Sequence, residues 1–273
     1  MAINLDELLA AISKANTTFT ITKTVQPAEG AGLYSSLWRT LGRPTAGAIP
    51  PAFTVGSDYV PDNTTVGGFF QPNPTAGEKF IVKLAAGCST VGSLIVYDRL
   101  WACSGFTTNI TSTQTVTTPG ALPAGRDPNA GSDVEPWLEV YTAPGATTAT
   151  WTLTGVDSTG TSGRTWTYAH PANAESGSQM MPMVPGTAIG GCRQVESFVC
   201  SVSSGTAGNV GITLMRRLQT IGVPIVGSQT SLDAFSTGMP RVFDGSCLAL
   251  QVFCSGTNTG NWQAELVLAD MVP

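Results

Sequence analysis

From Glu78 onward the chain breaks into ten short runs: EKFIVKLAA, GSLIVYDRLWAC, TQTVTT, PWLEVYTA, TATWTLTGV, RTWTYA, RQVESFVCSV, NVGITLMRRL, CLALQVFC and NWQAELVLA. β-Branched and aromatic residues dominate them, and such side chains suit a pleated, half-buried surface. Turn sequences such as PGATTA, DSTGTSG, SSGTAGN and SGTNTGN lie between or beside the runs. TWTLT and TWTYA alternate large and small side chains, the period of a strand with one buried face. Regularly spaced strands with no intervening helices predict an all-β chain. The expected form is a β-sandwich, a jelly roll, over residues 78–273.

Residues 1–77 are expected to be a separate N-terminal part, a short helix followed by an extended Pro/Gly-rich arm. Asn4 can cap a helix over residues 4–15, with Glu7 three residues on as in a capping box. Leu5, Leu8, Leu9 and Ile12 fall at the spacing that builds one apolar stripe. Three turns are marginal alone in water, so the stripe must dock, either on its own body or on a neighbouring subunit. FTITKTV reads as a strand, and then Pro27, Pro44, Pro50, Pro51, Pro61, Pro72 and Pro74 interrupt any ladder. Tyr34, Trp38, Phe53, Tyr59, Phe69 and Phe70 require this arm to lie along a surface, its own or another subunit's.

Charged residues make up 11% of the chain, against about 25% in an ordinary domain. Chains that stay unfolded are poor in apolar residues and rich in charge, and this one, at 42% apolar, is neither. With a net charge of −5 and no basic cluster beyond Arg216-Arg217, it lacks the face that displaces counterions from DNA or RNA. Low charge also favours a subunit covered by its neighbours. MAINLDELLAAISKANTT has no basic leader segment, so no secretory signal is expected. No run approaches the roughly 18 apolar residues of a spanning helix, so no membrane partner is expected. Six cysteines without a C-x-x-C, and a single histidine, argue against zinc. Buried thiols are the plainer expectation.

Asp98 and Arg99 stand side by side inside LIVYDRLWACSG. Consecutive strand residues face opposite ways, so the two cannot pair with each other. Arg216 or Arg217 can answer Asp98, and Glu139 or Glu196 can answer Arg99. Solvent exposure, a structural ion pair within or between subunits, and catalysis are the three roles open to them. VYDRL and LMRRL also echo one another, which suggests two equivalent strands.

Other chemistry is sparse. His170 precedes a proline, no G-x-S-x-G is present, and a turn or surface position is expected for it. Asp127, Asp133, Glu135, Glu139 and Asp157 sit mid-chain, where a pair could serve a glycosidase. GRDPNAGSDVEPW could ligate calcium through oxygens, although it lacks the order of an EF-hand loop. QMMPMVPG is either an interface patch or a core plug. The Gly-rich stretches lack the phosphate-cradling pattern. No cofactor, metal or catalytic residue is assigned.

The succession LIVYDRLWACSGF, TQTVTTPGALPAGRDPNAG, WLEVYTAPG, SGRTWTYA and VGITLMRRL resembles a group of structural proteins of tailed bacteriophage particles. Members look alike in a YDRLW strand, an LPARD-like loop and a LEVYTATG-like strand. The resemblance covers about Phe80 to Leu218, and the loop here, LPAGRD, is one glycine longer. It implies a non-enzymatic virion component, assembled in the host cytoplasm, that decorates or cements the capsid or is a minor capsid protein. The expected partners are the phage major capsid protein and further copies of the chain, as a trimer. Leu5, Leu8, Leu9, Ile12, Trp38, Asp98, Arg99, Arg216 and Arg217 are the candidate interface residues. Two rivals remain. One is a head- or tail-borne adhesin binding host glycans through Trp137, Trp151 and Trp166. The other is a glycan hydrolase using a pair among Asp127, Asp133, Glu135 and Glu139.

Overall fold

The computed structural model describes residues 6, 9–10, 17–24, 32–55, 59–171, 177–255 and 261–271. Its strands are β1 (Thr17–Thr24), β2 (Leu33–Ser36), β3 (Gly42–Arg43), β4 (Glu78–Cys88), β5 (Gly92–Phe106) and β6 (Gln114–Thr115). Then come β7 (Val134–Thr142), β8 (Ala149–Asp157), β9 (Arg164–His170), β10 (Gln179–Pro182), β11 (Val184–Pro185) and β12 (Cys192–Cys200). β13 (Asn209–Val223), β14 (Gln229–Leu232), the one-turn helix α1 (Ala234–Thr237), β15 (Arg241–Val242), β16 (Leu248–Cys254) and β17 (Asn261–Met271) complete the order. All ten runs read from the sequence are strands, although TQTVTT contributes only the two residues of β6.

The chain is all-β, but its centre is a closed barrel rather than two facing sheets. Strands β10, β2, β16, β5, β13 and β7 close in that order. One flanking sheet runs β14-β4-β17-β1-β3, with β15 also on β4, and the other runs β11-β9-β8-β12-β6. Each flanking sheet buries one face on the barrel's outside. Ile81, Leu84, Trp262 and Leu266 of the first meet Leu94, Val96, Leu250 and Val252 of the barrel. Trp151, Leu153, Trp166 and Phe198 of the second meet Trp101, Leu138, Val140 and Ile212.

β5 and β13, 15 residues each, run beneath both sheets. At about 3.4 Å per residue each extends roughly 50 Å. Arg99 pairs with Met215 and Trp101 with Leu214, so Leu100 is an extra residue on β5. A one-residue slip turns every later side chain to the other face. Tyr97 and Arg99 therefore face the lumen, while Trp101 and Cys103 face the second sheet. The lumen is filled by one large or small side chain from every barrel strand: Tyr34, Tyr97, Trp137, Met180, Met215 and Ala249.

The expected boundary at residue 77 does not separate two bodies. β1 pairs with β17 along all eight residues, from Thr17↔Leu268 to Thr24↔Asn261. β2 sits between β10 and β16, so the arm closes the barrel. Buried Trp38 then seals the lumen, its Nε1 donating to Ala48 O at 2.9 Å. Gly67, at φ 110°, lets the chain pass so close that a Cβ there would lie 2.6 Å from the Trp38 ring. Of the expected N-terminal helix, Asp6, Leu9 and Ala10 are helical, and Leu9 is 55% exposed. Leu5, Leu8 and Ile12 lie outside the described residues.

Candidate functional site

The centre of the molecule's charge chemistry is the pair that the sequence sets side by side. Strand alternation sends Asp98 and Arg99 to opposite sides of β5, and both are fully buried. Arg99 points into the lumen, where its Nη2 donates to Glu139 Oε2 at 2.7 Å and to the Tyr141 hydroxyl at 3.3 Å. Tyr141 and Thr213 also donate to Glu139 Oε2, each at 2.9 Å. The guanidinium lies 4.6 Å from the Trp38 ring centroid, a buried cation–π contact. Burial alone would push the Glu139 carboxyl up. The Arg99 charge and the hydrogen bonds to Arg99, Ser36 and Thr213 outweigh it and hold the carboxyl below its ordinary value. Burial likewise opposes the Arg99 charge, but Glu139, Tyr141 and Tyr97 raise its affinity for the proton well above the usual.

Asp98 points outward, under the arm and the loop that follows β6. Arg126 grips it from two nitrogens, Nη2 on Oδ1 and Nε on Oδ2, the latter at 3.3 Å. Ser246 Oγ donates to Oδ2 at 2.8 Å and the Cys247 amide to Oδ1 at 2.9 Å. Arg216 Nη2 stands 3.7 Å from Oδ2, with its guanidinium 4.4 Å from the Phe243 ring centroid. Arg126 also donates to Pro61 O at 2.7 Å and to Arg99 O at 2.9 Å. One carboxylate thus fastens the arm, the loop and the turn before β16 to the barrel.

Several expectations need correcting. Trp38, Asp98, Arg99 and Arg216 are at most 6% exposed within a single chain, so their partners are internal and they form no subunit contact surface. Arg217 is partly exposed and pairs with Glu135 at 3.0 Å. His170 is not at the surface: it is fully buried, stacked 4.3 Å from Trp151, with Nε2 on Gly145 O at 2.9 Å. Trp137, Trp151 and Trp166 are core residues rather than exposed loop aromatics. Met180, Met181 and Met183 are buried in the core, while Pro182, Val184, Pro185 and Gly186 of QMMPMVPG are exposed.

The carboxylates considered for hydrolysis are also engaged. Glu139 is buried in the lumen, Asp127 accepts from the Gly131 amide, and Asp133 accepts from Asn129 Nδ2 at 3.1 Å. Asp157 organises its own turn through the Thr159 and Thr161 amides. Among the described residues no group of three or more His, Cys, Asp or Glu is placed to hold a metal. Sequence reading named Arg216 and Glu139 as partners but missed Arg126. That residue lies in an irregular loop, where no periodicity says which way a side chain points.

No family model matches the chain, and no curated protein matches it. Among solved structures it is similar to an infectious bursal disease virus structure, Gt strain, at 11% identity and a TM-score of 0.21. That match covers 94% of this chain and 82% of the other. A VP2 subviral particle of the same virus gives 10% identity and a TM-score of 0.23, covering 94% and 81%. Superpositions this loose carry no functional inference, and the all-β architecture described above rests on the chain's own strands.

Proposed function

We propose that this chain is a non-enzymatic structural component of a tailed-bacteriophage particle. It binds the head as a homo-oligomer, a trimer, and stabilises the shell as a decoration, cement or minor capsid protein. One observation carries this reading. The segments that resemble phage structural proteins are the ones joined by the buried charge network. Asp98 and Arg99 come from YDRLW, Arg126 from LPAGRD, Glu139 and Tyr141 from LEVYT, and Thr213 and Arg216 from ITLMRRL. Their charges meet one another in the interior, as a rigid scaffold requires, instead of converging on a substrate cleft. A body locked this way resists deformation when a shell is loaded from within. Low charge further suits a surface that neighbours cover.

Mass photometry of the purified chain, followed by co-sedimentation with empty tailed-phage heads, tests the proposal. A discrete oligomer and saturable sedimentation are expected. A strict monomer that stays in the supernatant at every head concentration would overturn it.

A further inference from the structure

The first flanking sheet has two open strand edges. β1 pairs with β17 along its whole length on one side, while on the other β3 takes only Thr22 and Lys23. The Thr24 amide donates toward that second side, to Leu41 O at 3.2 Å. Edge direction repeats every second residue, so the N–H and C=O of Thr18 and Thr20 also point there, where no described strand pairs with them. At the other margin β14 pairs with β4 alone. We propose that a second copy of this chain fills these edges: β1 of one copy pairs with β14 of the next, and three copies close into a ring. The inference rests on the homo-oligomer of the proposed function and names the surfaces that build it.

Open edges template further strands, and proteins usually block them with Lys, Pro or a bulge. Other margins here carry such blocks: Arg43 and Pro44 at β3, Arg241 in β15 and Pro185 in β11. TTFTITKT and QTSL do not. Their one charge, Lys23, is buried and donates to Thr40 O and Pro44 O at 3.0 and 2.6 Å. The two edges also fit each other. β14, β4, β17 and β1 alternate in direction, so β14 runs opposite to β1, and copies turned about the strand axis meet antiparallel. Thr20 is level with Glu265, Ala85 and Ser231 in turn, and Thr22 with Gln263, Gly87 and Gln229. Rotation about the strand axis keeps height, which brings Thr20 beside Ser231 of the partner subunit. A hollow of about 700 Å³ on the solvent face touches all four strands, from Thr20 and Thr22 to Gln229. That face is concave, and the same curl continued across each junction favours a closed ring over a filament. Each copy in a ring is held at two junctions, so short contacts reinforce one another.

Cysteine cross-linking of the full chain tests this. Thr20→Cys and Ser231→Cys each place a thiol on an exposed strand position, whereas the six native thiols are buried. Under mild oxidation the double variant should give a covalent trimer, and the two single variants co-expressed should give a covalent dimer. Neither single variant alone should link. Thr20→Pro removes an N–H that serves no bond within the chain, and Ser231→Lys sets a charge on the facing edge. Each should convert the trimer to monomer in mass photometry with an unchanged circular dichroism spectrum. If Thr20→Pro does not fold, Ser231→Lys and the cross-links decide. A monomeric parent chain, a trimer that persists in Ser231→Lys, no link in the double variant, or linking of Thr20→Cys by itself would overturn the proposal. Co-sedimentation with empty heads is read separately. A trimer that binds heads but ignores the edge variants refutes the edge contact alone, and a ring that never sediments refutes the particle reading alone.

Discussion

Arg126 and Asp98, 28 residues apart in the chain, form a two-point ion pair beneath the arm, and the same guanidinium holds Pro61 O and Arg99 O. Removing one partner of such a pair leaves a buried charge uncompensated, at about 3–5 kcal/mol. Arg126→Met is therefore expected to lower unfolding free energy by that order in urea titrations. Because Arg126 also holds Pro61, protease cutting near residues 59–63 should accelerate in the variant. The double change Asp98→Asn with Arg126→Met removes both charges, and it should recover part of the loss. A double variant whose loss equals the sum of the Arg126→Met and Asp98→Asn losses would mean that the pair is not coupled.

Glu139 sets the response to acid. Its folded-state pKa lies below the ordinary 4.5, so on acidification the unfolded chain takes up this proton first. The contribution is complete above about pH 4.5 and is lost as the pH falls through the folded-state value. Glu139→Gln cannot titrate and leaves Arg99 without a countercharge. At pH 7 the variant should be less stable by about 3–5 kcal/mol. Below pH 4.5 its stability should fall less steeply than that of the parent. Denaturant midpoints between pH 2.5 and 7 measure both effects, and parallel curves would exclude Glu139 as a source of the acid slope.

The strand content was legible because β-branched and aromatic runs between turn residues carry a local signal. EKFIVKLAA and NWQAELVLA became β4 and β17 nearly as read. The barrel was not legible, since its closure depends on β2 and β10, four residues each, in segments dominated by Pro, Gly and Met. Period-two alternation also fails across Leu100, where the bulge reverses the faces of β5. Alternation did separate Asp98 from Arg99, because the two are adjacent and precede the bulge. Arg126 carried no such signal, as a loop residue's direction is set by what the folded barrel offers it.

Trp38 links arm and barrel, so the arm should be part of the cooperative unit. The ring is fully buried among the lumen residues and covers Arg99. Trp38→Ala is expected to cost about 3–5 kcal/mol through lost packing. Ser35→Pro attacks the same closure from the backbone, because Ser35 pairs with Gln179 on one side and Val252 on the other. Proline cannot occupy a strand paired on both sides. Both variants should lower the single unfolding transition rather than release the arm alone. An unchanged main transition with a new early one would make the arm an independent element.

The cysteines offer a probe that reports on the core without altering it. All six are buried. Burial pushes the Cys103, Cys200 and Cys247 thiols up to about 12, which keeps them protonated at neutral pH. Thiolate is the reactive form, so both access and ionisation suppress labelling. Cys103 and Cys200 lie between the barrel and the second sheet, whereas Cys247 belongs to the lumen cluster. Native protein at pH 8 should take up less than about one equivalent of a disulfide-exchange reagent over an hour, and unfolded protein should react within seconds. In Arg126→Met, Cys247 should label before Cys103 and Cys200, since its amide is bonded to Asp98 in the loosened region. Mass mapping of the modified thiols reads that order, and simultaneous labelling of all three would show that the pair guards the whole fold rather than its own corner.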